Sequence, residues 1–309
     1  MSITFDQPAG NRTARAAAYA SAAMLLIGYI DNYVRVIAGE AGLWQFHLTR
    51  SAFALPVLVV LSYLLGLPLR PKNWKVVAAR SLFASTSMLV YFGCLGLLPI
   101  GQVLAGLFTA PIFVALISAS AFGARIGWLQ WLAIGLGFGG IGMVLGLDPA
   151  SLGLLTLMPV LSGLIYALSG VVTREYCADE NPLALLAGFF GMMAFWGGLG
   201  LLVLALLPQP VAEGAAGFVA RGWVAPTGLF LFWTLAQALG SIFGVGLIIM
   251  AYQIAEAPRV AVFENTLLVF AAIWAWILWG EGVGIVALLG MAAIVGSGIL
   301  IALAPTGRK

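Results

Sequence analysis

Long apolar stretches follow one another along almost the whole chain, separated by short breaks that contain Gly, Pro or Asp. A bilayer core about 30 Å thick needs roughly 20 apolar residues per spanning helix, and each stretch is close to that length. The pattern therefore predicts an all-α polytopic membrane protein with ten transmembrane helices. We expect these spans, numbered 1 to 10 in chain order, at 16–37, 42–65, 76–97, 101–122, 128–147, 151–172, 183–206, 226–252, 257–279 and 283–304.

Composition supports the membrane interpretation. Apolar residues are 62% of the 309, whereas Asp, Glu, Lys and Arg are only 8%, which excludes a soluble fold. The net charge of +3 is small and scattered, so no nucleic-acid partner is expected and the lipid bilayer is the predicted environment. Two cysteines, Cys94 and Cys177, and the single histidine His47 are too few for a disulfide framework or a metal cluster. We expect no metal and no cofactor.

The positions of Lys and Arg predict the orientation, because cytoplasmic loops are enriched in these residues. If the N-terminus is cytoplasmic, only Arg221 lies in an outside loop, and Arg35 and Arg50 fall within spans. The other eleven of the fourteen are then on the inside: Arg12, Arg15, Arg70, Lys72, Lys75, Arg80, Arg125, Arg174, Arg259, Arg308 and Lys309. We therefore expect both termini to be cytoplasmic, in a bacterial inner (plasma) membrane.

The N-terminal segment and the longest loop show no pattern that predicts an additional folded domain. The first fourteen residues are polar, and span 1 lacks a small-residue cleavage site, so we expect it to be retained rather than removed as a signal peptide. The longest loop, 207–225, is rich in Ala, Gly and Pro and is predicted to be an exposed connection.

An internal repeat divides the chain in two. Residues 110–125 and 267–281 read alike at a spacing of about 157 residues, and each is followed by a Gly-rich span. Five spans in each half would make the second half enter the membrane from the opposite side, which is the inverted-repeat architecture of alternating-access transporters. The predicted units are a cytoplasmic segment at 1–15, repeats at 16–147 and 151–304, and a cytoplasmic tail at 305–309.

Short motifs connect this architecture with a known family. They are Arg50 early in span 2, within 48–54, then Pro111 in span 4, Gly280-Glu281 closing span 9, and the glycines of spans 5 and 10. The pattern resembles the ten-helix drug/metabolite transporter (DMT) superfamily, specifically its EamA-type members. The resemblance implies a central cavity lined by spans 1–4 and 6–9, with spans 5 and 10 as scaffold.

The chain departs from the family pattern at two positions. Ala124 stands where the first repeat usually has an acidic residue, and Leu268 stands where the second often has proline. The stretch 262–266 is similar to that of a subgroup containing metabolite and vitamin carriers, and no substrate is carried over from it.

Charged residues within spans are costly, at about 2.5–3.5 kcal/mol each on insertion scales, so those that persist usually face a cavity or each other. Asp31 and Arg35 lie one turn apart in span 1, and His47 and Arg50 lie one turn apart at the outer end of span 2. They predict either an electropositive vestibule for a carboxylate or phosphate, or a structural ion pair of Asp31 with Arg35 or Arg50. For His47 we expect a hydrogen-bonding role within the helices.

Glu264 is the sharpest candidate. It lies about two turns into span 9, beside Asn265, and spans 6–10 contain no Lys or Arg except Arg174 and Arg259 near their edges. Burial without a nearby cation favours the protonated carboxyl. We expect Glu264 to be the proton-coupling carboxylate or the anchor for a substrate amine, in preference to a structural role.

Uncharged polar residues in mid-span form a second set of candidates. They are Ser85, Thr86, Ser87 and Tyr91 in span 3, Tyr166 in span 6, and Thr234, Gln237 and Ser241 in span 8. Ser and Thr in membrane helices more often bond their own backbone or a neighbouring helix than a ligand. Gln237 and Tyr91 are therefore preferred, with Tyr166 retained as a candidate.

Glycines in span 5 formally spell a dinucleotide motif, at Gly135, Gly137 and Gly140. No strand precedes them, so a nucleotide site is not predicted. Gly135 and Gly139 instead suggest a face for close helix packing.

The predicted function is secondary transport of a small polar or amphipathic metabolite by alternating access, coupled to protons or passive. The chain has no Walker A sequence, and no enzyme activity is expected. An intramembrane aspartyl protease would need two apposed aspartates, yet only Asp31 lies well within a span, and Asp148 lies in an outside turn. A channel is a further alternative, although inverted repeats with few charges suit a carrier better. A homodimer is left open.

Overall fold

The computed structural model describes residues 9–94, 100–123, 125–145, 157–280, 282 and 284–303. These residues are helical apart from short connections, and no strand occurs among them. Ala124, Asp148 and Glu281, which the sequence analysis singled out, lie outside the described residues. The helices are α1 Ala9–Asp31, α2 Val34–Glu40, α3 Leu43–Leu65, α4 Trp74–Cys94, α5 Ile100–Leu107, α6 Ala110–Phe122, α7 Trp128–Leu145, α8 Leu157–Tyr176, α9 Pro182–Leu206, α10 Gly228–Ile254, α11 Ala257–Glu264, α12 Thr266–Trp279 and α13 Ile285–Leu303.

Within the described residues, seven helical segments are long and apolar enough to cross a membrane. They are Arg12–Glu40, Leu43–Leu65, Trp74–Cys94, Leu157–Tyr176, Pro182–Leu206, Gly228–Ile254 and Ala257–Trp279. Shorter apolar helices lie at Ala110–Phe122, Trp128–Met143 and Ile285–Leu300. The predicted all-helical membrane class is therefore confirmed.

Three of the predicted spans are interrupted rather than continuous. The first breaks at residues 32–33, the fourth at 108–109 and the ninth at Asn265. At the second and third breaks a threonine hydroxyl bonds the carbonyl three residues earlier, Thr109 to Gly106 at 2.6 Å and Thr266 to Phe263 at 2.7 Å. These local bonds compete with the regular helical ladder, which sequence hydropathy alone does not register.

Two helices, α6 and α12, each end at a glycine with the same backbone conformation. Gly123 follows α6 with φ of +64°, and Gly280 follows α12 with φ of +68°. This left-handed conformation is accessible to glycine without a steric penalty, so the two residues are effective helix caps.

The helices pack in pairs that mix the two halves of the chain. α3 packs on α9, α4 on α8, and α1 on α10. α1 also contacts α11 and α12, the two parts of the interrupted ninth span. α8 contacts α5 and α6, the two parts of the interrupted fourth span. α7 and α13 form a closely packed pair of their own.

Glycines on α7 explain this close approach, but they are not the two that the sequence suggested. A Cβ at Gly140 would lie 2.6 Å from the Gly290 carbonyl oxygen of α13, and one at Gly137 would lie 2.8 Å from the Ser297 hydroxyl. A Cβ at Gly135 or at Gly139 would meet nothing. The expected packing face was wrong because spacing alone does not fix which side of a helix faces its neighbour.

Most of the segment 207–227 is exposed, as predicted for 207–225, but its later part packs against the helices. It includes a short 3₁₀ helix, Gly214–Gly217, and its Phe218 is buried. Gln45 exchanges two hydrogen bonds with the backbone of Val224, at 2.8 and 2.9 Å, and Arg221 donates to the carbonyls of Ala38 and Ala41. The segment is therefore fastened to α2 and to the start of α3.

Candidate functional site

A central cavity lies between the two halves of the chain. About 120 Å³ of it is accessible to water-sized molecules, inside a larger opening of about 1090 Å³ that includes solvent at its mouth. Its lining comes from α1, α3, α4, α5, α6, α8, α9, α10, α11 and α12, with Asn265 between the last two. None of the described residues of α7 or α13 lines it.

Most of the lining is apolar, with aromatic and methionine side chains such as Met24, Met88, Phe92, Phe108 and Phe189. The side chains with polar groups are Asp31, Arg50, Arg80, Tyr91, Tyr166, Ser169, Thr173, Ser241, Tyr252, Glu264 and Asn265. An apolar chamber with a few placed polar groups is typical of sites for amphipathic ligands.

Glu264 is buried at the end of α11 and lies on the cavity wall. Its two carboxylate oxygens accept hydrogen bonds from two tyrosines on other helices. Tyr166 of α8 donates at 2.5 Å and Tyr252 of α10 donates at 2.7 Å. The arrangement ties three helices together through one acidic group that can change its charge.

Asn265 occupies the break that follows Glu264. Its side chain is buried and lines the cavity, and its Oδ1 has no hydrogen-bond partner among the described groups. The break thus places a carboxylate and an amide side by side on the cavity wall.

Arg80 enters the same cavity from α4. The sequence analysis assigned it to the cytoplasmic loop charges, and that assignment was wrong, since Arg80 is buried and donates to the Thr173 hydroxyl at 3.1 Å and the Leu185 carbonyl at 3.4 Å. Arg259, in the same predicted set, is buried within α11 and pairs with Glu256 at 3.0 Å. The cavity therefore contains a cation from the first half of the chain, Arg80, although the described residues of predicted spans 6–10 contribute none to it.

Asp31 ends α1 and faces the cavity. Gln237 of α10 donates to the Ile30 carbonyl at 2.8 Å and to Asp31 Oδ1 at 3.4 Å. The two predicted residues are thus brought together, with Gln237 acting behind Asp31 rather than in the lining itself.

Arg50 lies on α3, buried, with its guanidinium on the cavity wall. Its Nε and Nη2 have no hydrogen-bond partner among the described groups, and neither has either ring nitrogen of the buried His47. His47 packs against the rings of Phe46 and Phe92. The expectation that its nitrogens are hydrogen-bonded within the helices is therefore wrong.

The remaining predicted residues divide between the cavity and the surface. Tyr91 is buried on α4 and lines the cavity. Arg35 lies on α2, beyond the break at 32–33, and its guanidinium stacks over Trp279 at 3.8 Å from the ring centre. It is not among the lining residues.

Sequence reasoning missed Tyr252 and Arg80. Tyr252 lies near the end of a predicted span, where tyrosine is common at the membrane interface. Its position in the sequence therefore did not distinguish it as a cavity residue. Arg80 could have been found from the sequence, because it lies within predicted span 3. Charged residues within spans usually face a cavity or each other, which is the reason Glu264 was chosen.

An all-helical membrane protein whose two halves enclose a chamber with few buried charges has the architecture expected of a secondary metabolite transporter. Residues 14–146, in the first half of the chain, match the model of the EamA-like transporter family. The resemblance to EamA-type members of the DMT superfamily is confirmed.

Several curated proteins are similar along most of the chain. A riboflavin transporter of Rhizobium johnstonii is 27% identical over 268 residues, covering 85% of this chain and 80% of the relative. A riboflavin transporter of Vibrio cholerae is 24% identical, covering 83% and 84%. The pseudopaline exporter CntI of Pseudomonas aeruginosa is 23% identical, covering 75% and 76%.

One solved crystal structure of another protein superposes with a TM-score of 0.73, covering 93% of this chain and 98% of the other, at 17% identity. At this identity the likeness extends to the fold alone. The names of the family and of the curated relatives are those of transporters rather than enzymes.

Proposed function

We propose that the chain is a ten-span carrier built from two inverted five-helix repeats, and that it works by alternating access. The three shorter apolar helices would complete the spans. Helix contacts support the repeat, because exchanging the halves turns the α1–α10 pair into the α8–α4 pair and leaves the α3–α9 and α7–α13 pairs unchanged. The capping glycines 123 and 280 and the break threonines 109 and 266 also share the spacing of about 157 residues.

The proposed units keep the predicted boundaries, with repeats at 16–147 and 151–304 between cytoplasmic ends at 1–15 and 305–309. Moving Arg80 and Arg259 out of the loop set leaves the excess of Lys and Arg on the same side, so cytoplasmic termini in a bacterial inner membrane remain our proposal. One chain supplies the cavity lining, so this mechanism does not require a homodimer.

We propose Glu264 as the proton-coupling group. The observation that carries the proposal is the pair of hydrogen bonds that its carboxylate accepts from Tyr166 and Tyr252, on the wall of a cavity shared by both halves. Binding or release of a proton changes what this carboxyl can accept, and therefore changes the free energy of holding α8, α10 and α11 together.

The test is Glu264→Gln in protein reconstituted into liposomes, with riboflavin as the first substrate offered. We expect the wild type to accumulate substrate faster when a proton gradient is imposed, and the variant to lose that dependence while retaining exchange of substrate across the membrane. Glu175→Gln is the matched control, because Glu175 is an exposed residue of α8 and the chemical change is the same.

Full gradient dependence in Glu264→Gln would contradict the coupling role. Glu264 would then be assigned as the anchor for a substrate amine if binding of amine-bearing compounds alone were weakened. If amines also bound unchanged, both roles would be wrong.

The substrate we propose is an amphipathic metabolite with a planar or apolar body. The aromatic and methionine lining supports this, as do the riboflavin transporters among the relatives. Among the described residues, the cavity wall carries Asp31 as its sole aspartate, which gives no support to the aspartyl protease alternative.

A further inference from the structure

The Arg50 guanidinium occupies an unusual environment at the cavity wall. Three phenyl rings surround it, with centres at 5.1 Å for Phe46, 5.6 Å for Phe92 and 5.9 Å for Phe190. The side chain is only 3% exposed, and its Nε and Nη2 have no acceptor among the described groups. Aromatic faces attract a cation, but they provide no oxygen acceptor for its N–H groups.

Leaving donors of a buried charge unsatisfied costs more than leaving a neutral donor unsatisfied. Asp31 lies on the same cavity and attracts Arg50 electrostatically. Its carboxylate, however, is oriented by Gln237 at the end of α1, and it leaves these two guanidinium nitrogens without a hydrogen bond.

The other cavity arginine behaves differently. Arg80 donates to Thr173 and to the Leu185 carbonyl, so part of its hydrogen-bonding capacity is used within the protein. Of the two arginines in the lining, Arg50 is therefore the one whose buried donors lack a hydrogen-bond partner among the described groups.

We infer that Arg50 binds an oxyanion of the transported molecule, a carboxylate or a phosphate, while the adjoining apolar lining receives the molecule's body. The inference rests on the proposed function and adds the charge of the substrate to it. A guanidinium presents a planar fork of donors that matches both kinds of oxyanion, and Arg50 lines the cavity in which the substrate would lie. Asp31 keeps the site near neutrality before the substrate enters.

The experiment measures binding to the purified protein as a function of probe charge. Two pairs of probes share a body within each pair: riboflavin with riboflavin 5′-phosphate, and phenethyl alcohol with phenylacetate. The thermal unfolding midpoint, followed against probe concentration, yields the affinity of each. The first pair tests a phosphate and the second a carboxylate.

We expect the wild type to bind the anionic member of at least one pair about tenfold more tightly than its neutral partner. Arg50→Gln should abolish that preference, and Arg70→Gln, the same change at an exposed arginine outside the cavity lining, should keep it. Arg50→Lys retains the charge without the fork, so we expect an intermediate preference. This variant also provides the test should Arg50→Gln fail to fold.

A wild type that shows no preference for either anion, or an Arg50→Gln or Arg50→Lys variant with the full preference, would overturn the inference. The outcome is separate from that of the coupling test. If Glu264→Gln lost the dependence on the proton gradient and Arg50→Gln kept the preference for the anionic probe, the proposed carrier function would be supported and the oxyanion site would be wrong. The opposite pair of results would leave the site standing without the coupling role.

Discussion

The Glu264 carboxylate and its two tyrosine partners show how single residues from distant parts of the chain make one site. Tyr166 and Tyr252 belong to α8 and α10, and they meet at one acid of α11. Tyr252 also packs against Gly170 of α8, where an added Cβ would lie only 2.8 Å from the ring. The absence of a side chain at Gly170 therefore lets the Tyr252 hydroxyl reach the carboxylate.

Gly170→Ala tests this directly. We expect the methyl group to displace the Tyr252 ring, to reduce liposome transport by about tenfold, and to destabilise the protein by roughly 1–3 kcal/mol as overpacking does. Gly191→Ala on α9 is the control, because a Cβ there meets nothing and the same change should leave transport and the unfolding midpoint near wild type. Wild-type transport in Gly170→Ala would show that the Tyr252 contact is dispensable.

At the residue scale, sequence reasoning selects charged groups whose burial is costly, although it missed Arg80 and included Arg35, which does not line the cavity. Asp31, Arg50 and Glu264 were singled out for that reason, and all three line the cavity. Sequence reasoning says less about the hydrogen-bond partners of these groups. Gln237 contacts Asp31, and Tyr252 contacts Glu264, only because the helices pack together, and hydropathy does not encode that packing.

At the scale of helices, the apolar stretches predicted most of the bounds to within a few residues, although α1 begins at Ala9 rather than at 16. They did not predict the interruptions inside the spans. Thr109 and Thr266 lie in apolar surroundings where a continuous helix is the simpler expectation. The breaks place Phe108 and Asn265 on the cavity wall. Interrupted helices therefore contribute to the site from both halves of the chain.

The α7–α13 pair permits a sharp test of helix packing with two adjacent glycines. Gly140→Ala would bring a Cβ against the Gly290 backbone and the side chains of Ala293 and Ile294, whereas Gly139→Ala would point into open space. We expect the first to lower the free energy of unfolding by about 1–3 kcal/mol and the second to change it by less than about 1 kcal/mol. Chemical denaturation in detergent measures both. Equal stability of the two variants would show that α7 and α13 do not pack as described.

For the whole molecule, two observations support the proposed inverted repeat. Helix contacts are retained when the two halves are exchanged, and Lys and Arg are concentrated in alternate loops. In the proposed arrangement, an odd number of spans per half would place the second half upside down relative to the first. The proposed orientation comes from Lys and Arg alone, because their bias is a property of loops, which sequence locates well. The cavity was predictable only through the family resemblance.

Cysteine labelling tests the orientation in intact cells. With Cys94 and Cys177 replaced by serine, Gln209→Cys should react with a membrane-impermeant maleimide, because the segment 207–227 is proposed to lie outside. Asp179→Cys, in the exposed turn between α8 and α9, should react only after the cells are permeabilised. Labelling of Asp179→Cys in intact cells would contradict the proposed topology.

The attachment of the segment 207–227 has a consequence for how such a carrier could be controlled. A Cβ at Gly42 would clash with the Arg221 carbonyl, and Gln45, Trp44 and Leu43 all bond the same segment, so the segment and the beginning of α3 are effectively one body. Arg50 is about two turns further along that helix. An antibody fragment that immobilises the segment would therefore hold this part of the chamber in place, inhibiting the conformational cycle without competing for the substrate.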